Sequence, residues 1–220
     1  MFKSAVFAFA LGAFAASGAL AAGDQTYSLS KDKRITTVSQ GSTRYAPPSL
    51  APKKDVVFSN VGTKYPKGLY FCCYGNTISG PDAGVGGAYA VALQFTPASD
   101  VKSKEVDAGV GWVQGTNSVT ISIAEDDGGV PGKTLASGDA SGLGTFGSCC
   151  TMATANLKAS LKGGTPYWVV VTASGNTWAA WSFNSTDQID QLSAAYSADG
   201  GGSWSSGIAI PAPSYQVIGK

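Results

Sequence analysis

The sequence predicts an all-β fold: a two-sheet antiparallel β-sandwich, jelly-roll-like, behind an irregular N-terminal extension. Three observations predict it. Nine or ten short runs carry the period-2 apolar alternation, or the β-branched and aromatic enrichment, of strands. Gly, Asn, Asp and Pro punctuate these runs at near-regular spacing, as sandwiches and jelly rolls require. Beyond the first twenty-one residues no segment sustains a 3.6-residue apolar period.

At the N-terminus, Lys3 precedes an apolar and small-residue run from Ala5 to Leu20 that closes on Ala19-Leu20-Ala21. A positive flank, a short apolar core and an A-x-A site describe a secretory signal peptide over residues 1–21. The run is too short and too rich in Ala and Gly for a membrane span. The mature chain is expected to be secreted or periplasmic, with no transmembrane segment after signal removal. Residues 22–54 read as a polar extension or linker, broken by Pro47, Pro48 and Pro52. Residues 55–220 read as the sandwich domain.

Within the domain, alternation first appears at Asp55–Phe58. Gly68–Tyr74 is aromatic and cysteine-rich, and Gly75–Gly87 is expected to be a loop because of its glycines. Tyr89–Phe95 is a strand. Val106–Val113 sets Val106, Ala108, Val110 and Trp112 on one face. Gly109 and Gly111 lie opposite, which implies close backbone approach or a bulge. The organising element is Asn117–Gly138. Val119, Ile121 and Ile123 alternate with small or polar residues, Glu125–Gly132 holds the Asp, Gly and Pro of a turn, and Lys133–Ala136 returns as the second strand of a hairpin with a wet outer face. Ser137–Ser148 is a Gly/Ser-rich connection, and Ala155–Leu161 a short strand or turn. Pro166–Thr172 has the strongest β character. Thr177–Asn184 is expected to pair with it as a hairpin across Ser174-Gly175-Asn176. Ser193–Tyr196, Ile208–Ile210 and Tyr215–Ile218 complete the set.

Charge is distributed unevenly. From Ala22 to Tyr70 eight basic residues face three acidic ones, a net of +5, while from Phe71 onward six Lys face eleven acids, a net of −5. A basic arm of this kind suits an anionic polymer or surface. Its cations are spread out, with few interleaved aromatics, so a soluble linker lying against the domain is the preferred reading and nucleic acid is not an expected partner.

Four cysteines stand in two doublets, Cys72-Cys73 and Cys149-Cys150. An exported chain favours disulfides. Vicinal pairing would hold Cα atoms about 3.8 Å apart, below the usual window of about 4.4–6.8 Å. Cross-pairing between the doublets is therefore expected. One such bond closes a loop of nearly eighty residues and is worth roughly 4 kcal/mol in the chain-entropy model. A metal site would space its cysteines more widely, and a catalytic thiolate would want a histidine, of which the chain has none.

That same lack of histidine excludes Ser-His-Asp chemistry. Asp127–Thr134 misses the phosphate-loop pattern by its first glycine, and Gly142–Gly147 matches G-x-G-x-x-G without the flanking strand and helix. Carboxylate hydrolysis would draw on Asp107, Glu125, Asp126, Asp127, Asp187 or Asp190, none singled out by spacing. Glu125, Asp126, Asp127 and Asp199 are weak candidates for Ca²⁺, the one cofactor considered. Trp178 and Trp181, three apart on one strand, should point to opposite faces. One of them is expected to lie outward, ready to stack on a sugar.

Finally, GTNSVTISIAEDDGGVPGKTLA, GGTPYWVVV, SADGGGSWSS and the terminal YQVIG resemble the bacterial secreted β-sandwich modules called choice-of-anchor domains, the R type most closely. The resemblance covers about two-thirds of the chain, from Phe71 to Lys220. It implies a secreted or surface-displayed sandwich with no catalytic residues to carry over. The expected role is therefore extracellular and non-enzymatic, by interaction or as structure. A carbohydrate-binding module is the alternative, a glycoside hydrolase a more distant one, and the partner a glycan or cell-surface component.

Overall fold

The structure is a computed structural model that describes residues 20–22, 25–37, 55–62, 69–148, 151–186, 192–206 and 211–220. Among these residues, seventeen strands follow in chain order. They are β1 (Leu20–Ala22), β2 (Gln25–Leu29), β3 (Arg34–Thr37), β4 (Val56–Ser59), β5 (Tyr70–Ser79), β6 (Ala90–Phe95), β7 (Val101–Ala108), β8 (Val110–Gln114) and β9 (Ser118–Asp126). Then come β10 (Pro131–Ser141), β11 (Ala153–Ala155), β12 (Ser160–Leu161), β13 (Tyr167–Thr172), β14 (Trp178–Asn184), β15 (Ala194–Ser197), β16 (Ser205–Ser206) and β17 (Tyr215–Gly219). No helix occurs among the described residues. The fold is all-β, and its strands pair antiparallel, as the sequence predicts.

Two layers face each other. One is a six-stranded sheet in the order β10-β9-β13-β6-β15-β16. The other combines the sheet β1-β2-β3-β5-β14-β8 with the sheet β11-β7-β17-β4, and β12 adds to β7. The hinge between these two sheets is Gly109. Its N–H donates to Ser214 O, and its carbonyl accepts from Ser182 N. β7 and β8 thus form one bent run that belongs to both sheets.

The core between the layers follows from alternation. Val119, Ile121 and Ile123 of β9, Val169 and Val171 of β13, and Val91, Leu93 and Phe95 of β6 meet Ile78, Val106, Ala108, Val110, Ala179, Trp181, Tyr215 and Val217 from the opposite layer. The alternating face read from β9 and the β7–β8 run is this core. The two glycines opposite it do mark close approach. A Cβ on Gly109 would meet the Tyr70 ring at 3.0 Å, and one on Gly111 would lie 2.7 Å from Phe146 Cα.

Three local expectations are corrected. β5 runs on through Asn76, Thr77 and Ile78 where the glycines suggested a loop. Gly75 serves the strand pairing itself, because a Cβ there would sit 2.7 Å from Trp181 O. β13 and β14 do not form a hairpin: β13 pairs with β6 and β9, β14 with β5 and β8, so the short turn between them crosses from one layer to the other. The stretch read as an irregular extension supplies the hairpin β2–β3, which joins the edge of β5. Tyr27 is buried there and packs against Phe146 and Trp178, which anchors the hairpin. Residues 1–19, with most of the expected signal peptide, and 208–210, with an expected strand, lie outside the described residues.

Candidate functional site

The hairpin β9–β10 carries the acids. Its turn uses Gly128 and Gly129, both at positive φ (65° and 90°), and closes with Asp127 N–H donating to Val130 O. Two register shifts then follow between Pro131 and Ala136. Asp126 ends β9 on the face away from the core. There its Oδ1 accepts from the indole Nε1 of Trp168 and from Nε2 of Gln94, each at 2.8 Å, and its Oδ2 accepts from Gly129 N at 3.3 Å. The register makes this possible, since Trp168 lies between Ala124 on β9 and Gln94 on β6. Trp168 is fully buried over Ala92, Ala124, Val170 and Ala195. That face is therefore drier than the alternation of β9 alone suggested. Glu125 and Asp127 point to solvent.

Asp199 sits elsewhere on the same sheet, beside Ala88 at the other end of β6. Its carboxylate accepts from Ser197 Oγ at 2.7 Å, from Ser203 N at 2.9 Å and from Ser203 Oγ at 2.6 Å. The Ser203 and Ser197 hydroxyls, in that order, hold its carboxyl well below the usual carboxylate range. The four Ca²⁺ candidates thus do not converge. No group of three or more His, Cys, Asp or Glu able to hold a metal ion occurs among the described residues. Asp107 is buried and accepts from Thr154 Oγ1 at 2.6 Å and Gln216 Nε2 at 2.7 Å. Asp187 and Asp190 lie outside the described residues.

No family model matches the chain, and no curated protein matches it either.

The tryptophan expectation is corrected in one respect. Trp178 and Trp181 do point to opposite faces of β14, but neither is outward: their exposures are 1% and 0%. Trp181 fills the core and donates its indole N–H to Ser214 O at 2.9 Å. Trp178 lies beneath Tyr27, Phe146 and the segment holding Ala83, Val85 and Tyr89. A second apolar cluster covers what would otherwise be the solvent face of this sheet.

Among the described residues, the most exposed aromatic rings flank the first cysteine doublet. Phe71 is 40% exposed and Tyr74 52%. They stand on β5 where Phe71 pairs with Phe183 but Gly75 pairs with Ser182, so three residues of β5 bulge where β14 has none. The aromatic-and-cysteine run was visible in sequence, but the bulge that turns it outward was not. Cys73, inside the bulge, is a half-buried free thiol. Tyr70 Oη donates to Thr151 O at 2.7 Å, which ties the strand before one doublet to the residue after the other. Cys149 and Cys150 themselves lie outside the described residues.

Of the basic arm, Arg34 pairs with Asp32 at 3.0 Å. Lys33 lies 5.0 Å over the Tyr89 ring and donates to Val85 O. These two cations lie against the domain or a local acid. The two glycine motifs do not cradle phosphate: the strand β10 follows one, where a helix would be needed, and the other bridges to β8 through Thr145.

Proposed function

We propose that the chain is an exported, non-enzymatic β-sandwich protein with an extracellular interaction or structural role. The observation that carries this reading is the occupation of three of its acids. Asp126, Asp107 and Asp199 each accept hydrogen bonds from at least two partners, and these bonds hold strands and turns together. Asp107 is buried beneath its partners, whereas a carboxylate acting as acid, base or nucleophile needs a face open to substrate. The motif resemblance to choice-of-anchor domains adds support from the sequence. The test replaces each of the three with Asn and follows both melting temperature and turnover on a panel of glycosides. Lower melting points with no turnover by the parent protein are expected. Turnover that disappears in a variant that still folds would overturn the reading.

A second reading, a carbohydrate-binding module, is favoured by Phe71 and Tyr74 in place of the buried tryptophans. Exposed aromatic faces stack on the apolar faces of sugar rings. A glycan array with and without Ca²⁺ decides it: binding that Tyr74→Ala abolishes supports this reading, and silence on every glycan removes it.

A further inference from the structure

We infer a second site, an anion-binding cleft at the edge of the sandwich, made by Lys102, Lys104, Lys158 and Lys220. Four of the six lysines that follow Phe71, in a region of net charge −5, line one cavity of about 590 Å³ with no Asp or Glu among its lining residues. That size falls within the range of ligand pockets, about 300–1,000 Å³.

The register brings them together. Lys102 and Lys104 alternate with Ser103 on β7, so both project to one side, and both are exposed. Ser103 points the other way and is buried. Its hydroxyl donates to Leu157 O and accepts from Ala159 N, each at 2.8 Å, which clamps the segment carrying Lys158 against β7. Ser160 pairs with Lys102, and Leu157 N–H donates to Lys104 O, so Lys158 lies beside Lys104. On the other flank, Lys220 and Lys102 exchange backbone hydrogen bonds at 3.0 and 3.3 Å.

Two lysine pairs therefore stand directly across a strand pairing, where like charges destabilise. Neighbours across strands have Cβ atoms about 4.5–5.5 Å apart, and Lys102 and Lys104 are about 6.6 Å apart along the strand. Four positive charges fall within roughly one Debye length. In a body otherwise acidic, no acidic side chain lines the cleft to offset this repulsion. A ligand with several anionic groups would relieve it. The recognised chemistry is an oligoanion with two or more carboxylate, sulfate or phosphate groups, because lysine ammonium is a mobile point charge that fits any of them. This site is separate from Asp126 and its hydrogen bonds, and its failure would leave the structural reading of the acids standing.

Calorimetric titration of the full chain at low salt tests it, with trigalacturonate as an acidic-sugar probe, tripolyphosphate as an oligophosphate probe and inorganic phosphate as the single-anion control. The variants are Lys102→Gln/Lys104→Gln and Lys102→Arg/Lys104→Arg. Binding of at least one oligoanion, at least tenfold weaker in the Gln variant, retained in the Arg variant and weakened by added salt, is expected. Whichever oligoanion binds identifies the source. The ligand-free Gln variant should melt no lower than the parent, because a repulsion has been removed, so loss of binding there is not loss of fold. Absence of binding by both oligoanions, equal affinity in the Gln variant, or an affinity for inorganic phosphate matching that for the oligoanions would overturn the inference.

Discussion

The indole N–H of Trp168 donates to Oδ1 of Asp126 at 2.8 Å, joining the start of one strand to the end of its neighbour across forty-two positions of sequence. Because Trp168 is buried, its N–H has no water to fall back on. Asp126→Ala strands that donor and the Gln94 amide together, and an unsatisfied buried polar group costs about 1–3 kcal/mol. Urea unfolding should place Asp126→Ala below the parent by that order, with Asp126→Asn in between because it keeps one acceptor oxygen. In a Trp168→Phe background the Asp126→Ala cost should shrink, giving a coupling of about 0.5–3 kcal/mol. An unchanged midpoint for Asp126→Ala would mean that the contact contributes nothing and the acid is available for other work.

Gly111 offers a test of the layer packing. Its ideal Cβ would lie 2.7 Å from Phe146 Cα, a backbone atom that cannot swing aside. Phe146 N–H donates to Trp112 O and Trp112 N–H donates to Gly144 O, so the segment is pinned where the clash occurs. Gly111→Ala should lower stability by about 1–3 kcal/mol, the usual cost of overpacking. Gly128→Ala is the control for backbone conformation. No atom stands within 4 Å of that position, but its φ is 65°, so any loss there reports strain and not contact. Thermal melts of the two variants separate the effects.

Asp199 sets a pH dependence. Its folded pKa lies below its ordinary value of 3.8, chiefly through the Ser203 and Ser197 hydroxyls. The unfolded chain therefore binds the proton more readily, and stability from this group is fully present above about pH 4 and lost as pH falls toward the folded value. A parent and Asp199→Asn pair should differ in melting temperature at pH 6, with the gap narrowing steadily as pH falls below about 4. A gap that is constant across this range would show that the turn is held by the backbone alone. Ser203→Ala should reproduce part of the same gap, since it removes the first-named donor.

Much of the layering could be read from alternation. Val119, Ile121 and Ile123, and Val106, Ala108 and Val110, are core on the strength of a period-2 pattern, and the structure buries all six. What escaped was whatever depends on distant partners. β14 is apolar on both faces, so alternation could not say which face meets water; the answer is neither, because Tyr27 and Phe146 arrive from elsewhere in the chain. The same ambiguity let β13 and β14 look like a hairpin. Gly75 read as a loop signal because sequence cannot distinguish a glycine that frees the backbone from one that admits a neighbouring strand. The convergence of Lys102, Lys104, Lys158 and Lys220 depends on two pairing registers that no local pattern encodes.

The cysteines provide the last test. Tyr70 Oη bonds Thr151 O at 2.7 Å, so the chain two residues before Cys72 touches the chain one residue after Cys150. The doublets are thus flanked by groups already in contact, as cross-pairing between them requires. Cys73 stands half-buried as a free thiol in this structure. Non-reducing peptide mapping of protein purified without reductant should yield a fragment linking the two doublets. Loss of that link through Cys149→Ser/Cys150→Ser should lower stability by roughly 4 kcal/mol, the chain-entropy value for a loop of this length. A native protein whose four thiols all react with a maleimide would overturn the pairing. So would vicinal bonds within each doublet, because their geometry leaves the long loop unclosed. Tyr70→Phe distinguishes a preformed approach from one imposed by the bond. If the tyrosine hydrogen bond sets the approach, this variant should slow oxidative pairing in refolding, with the same bonds formed at the end.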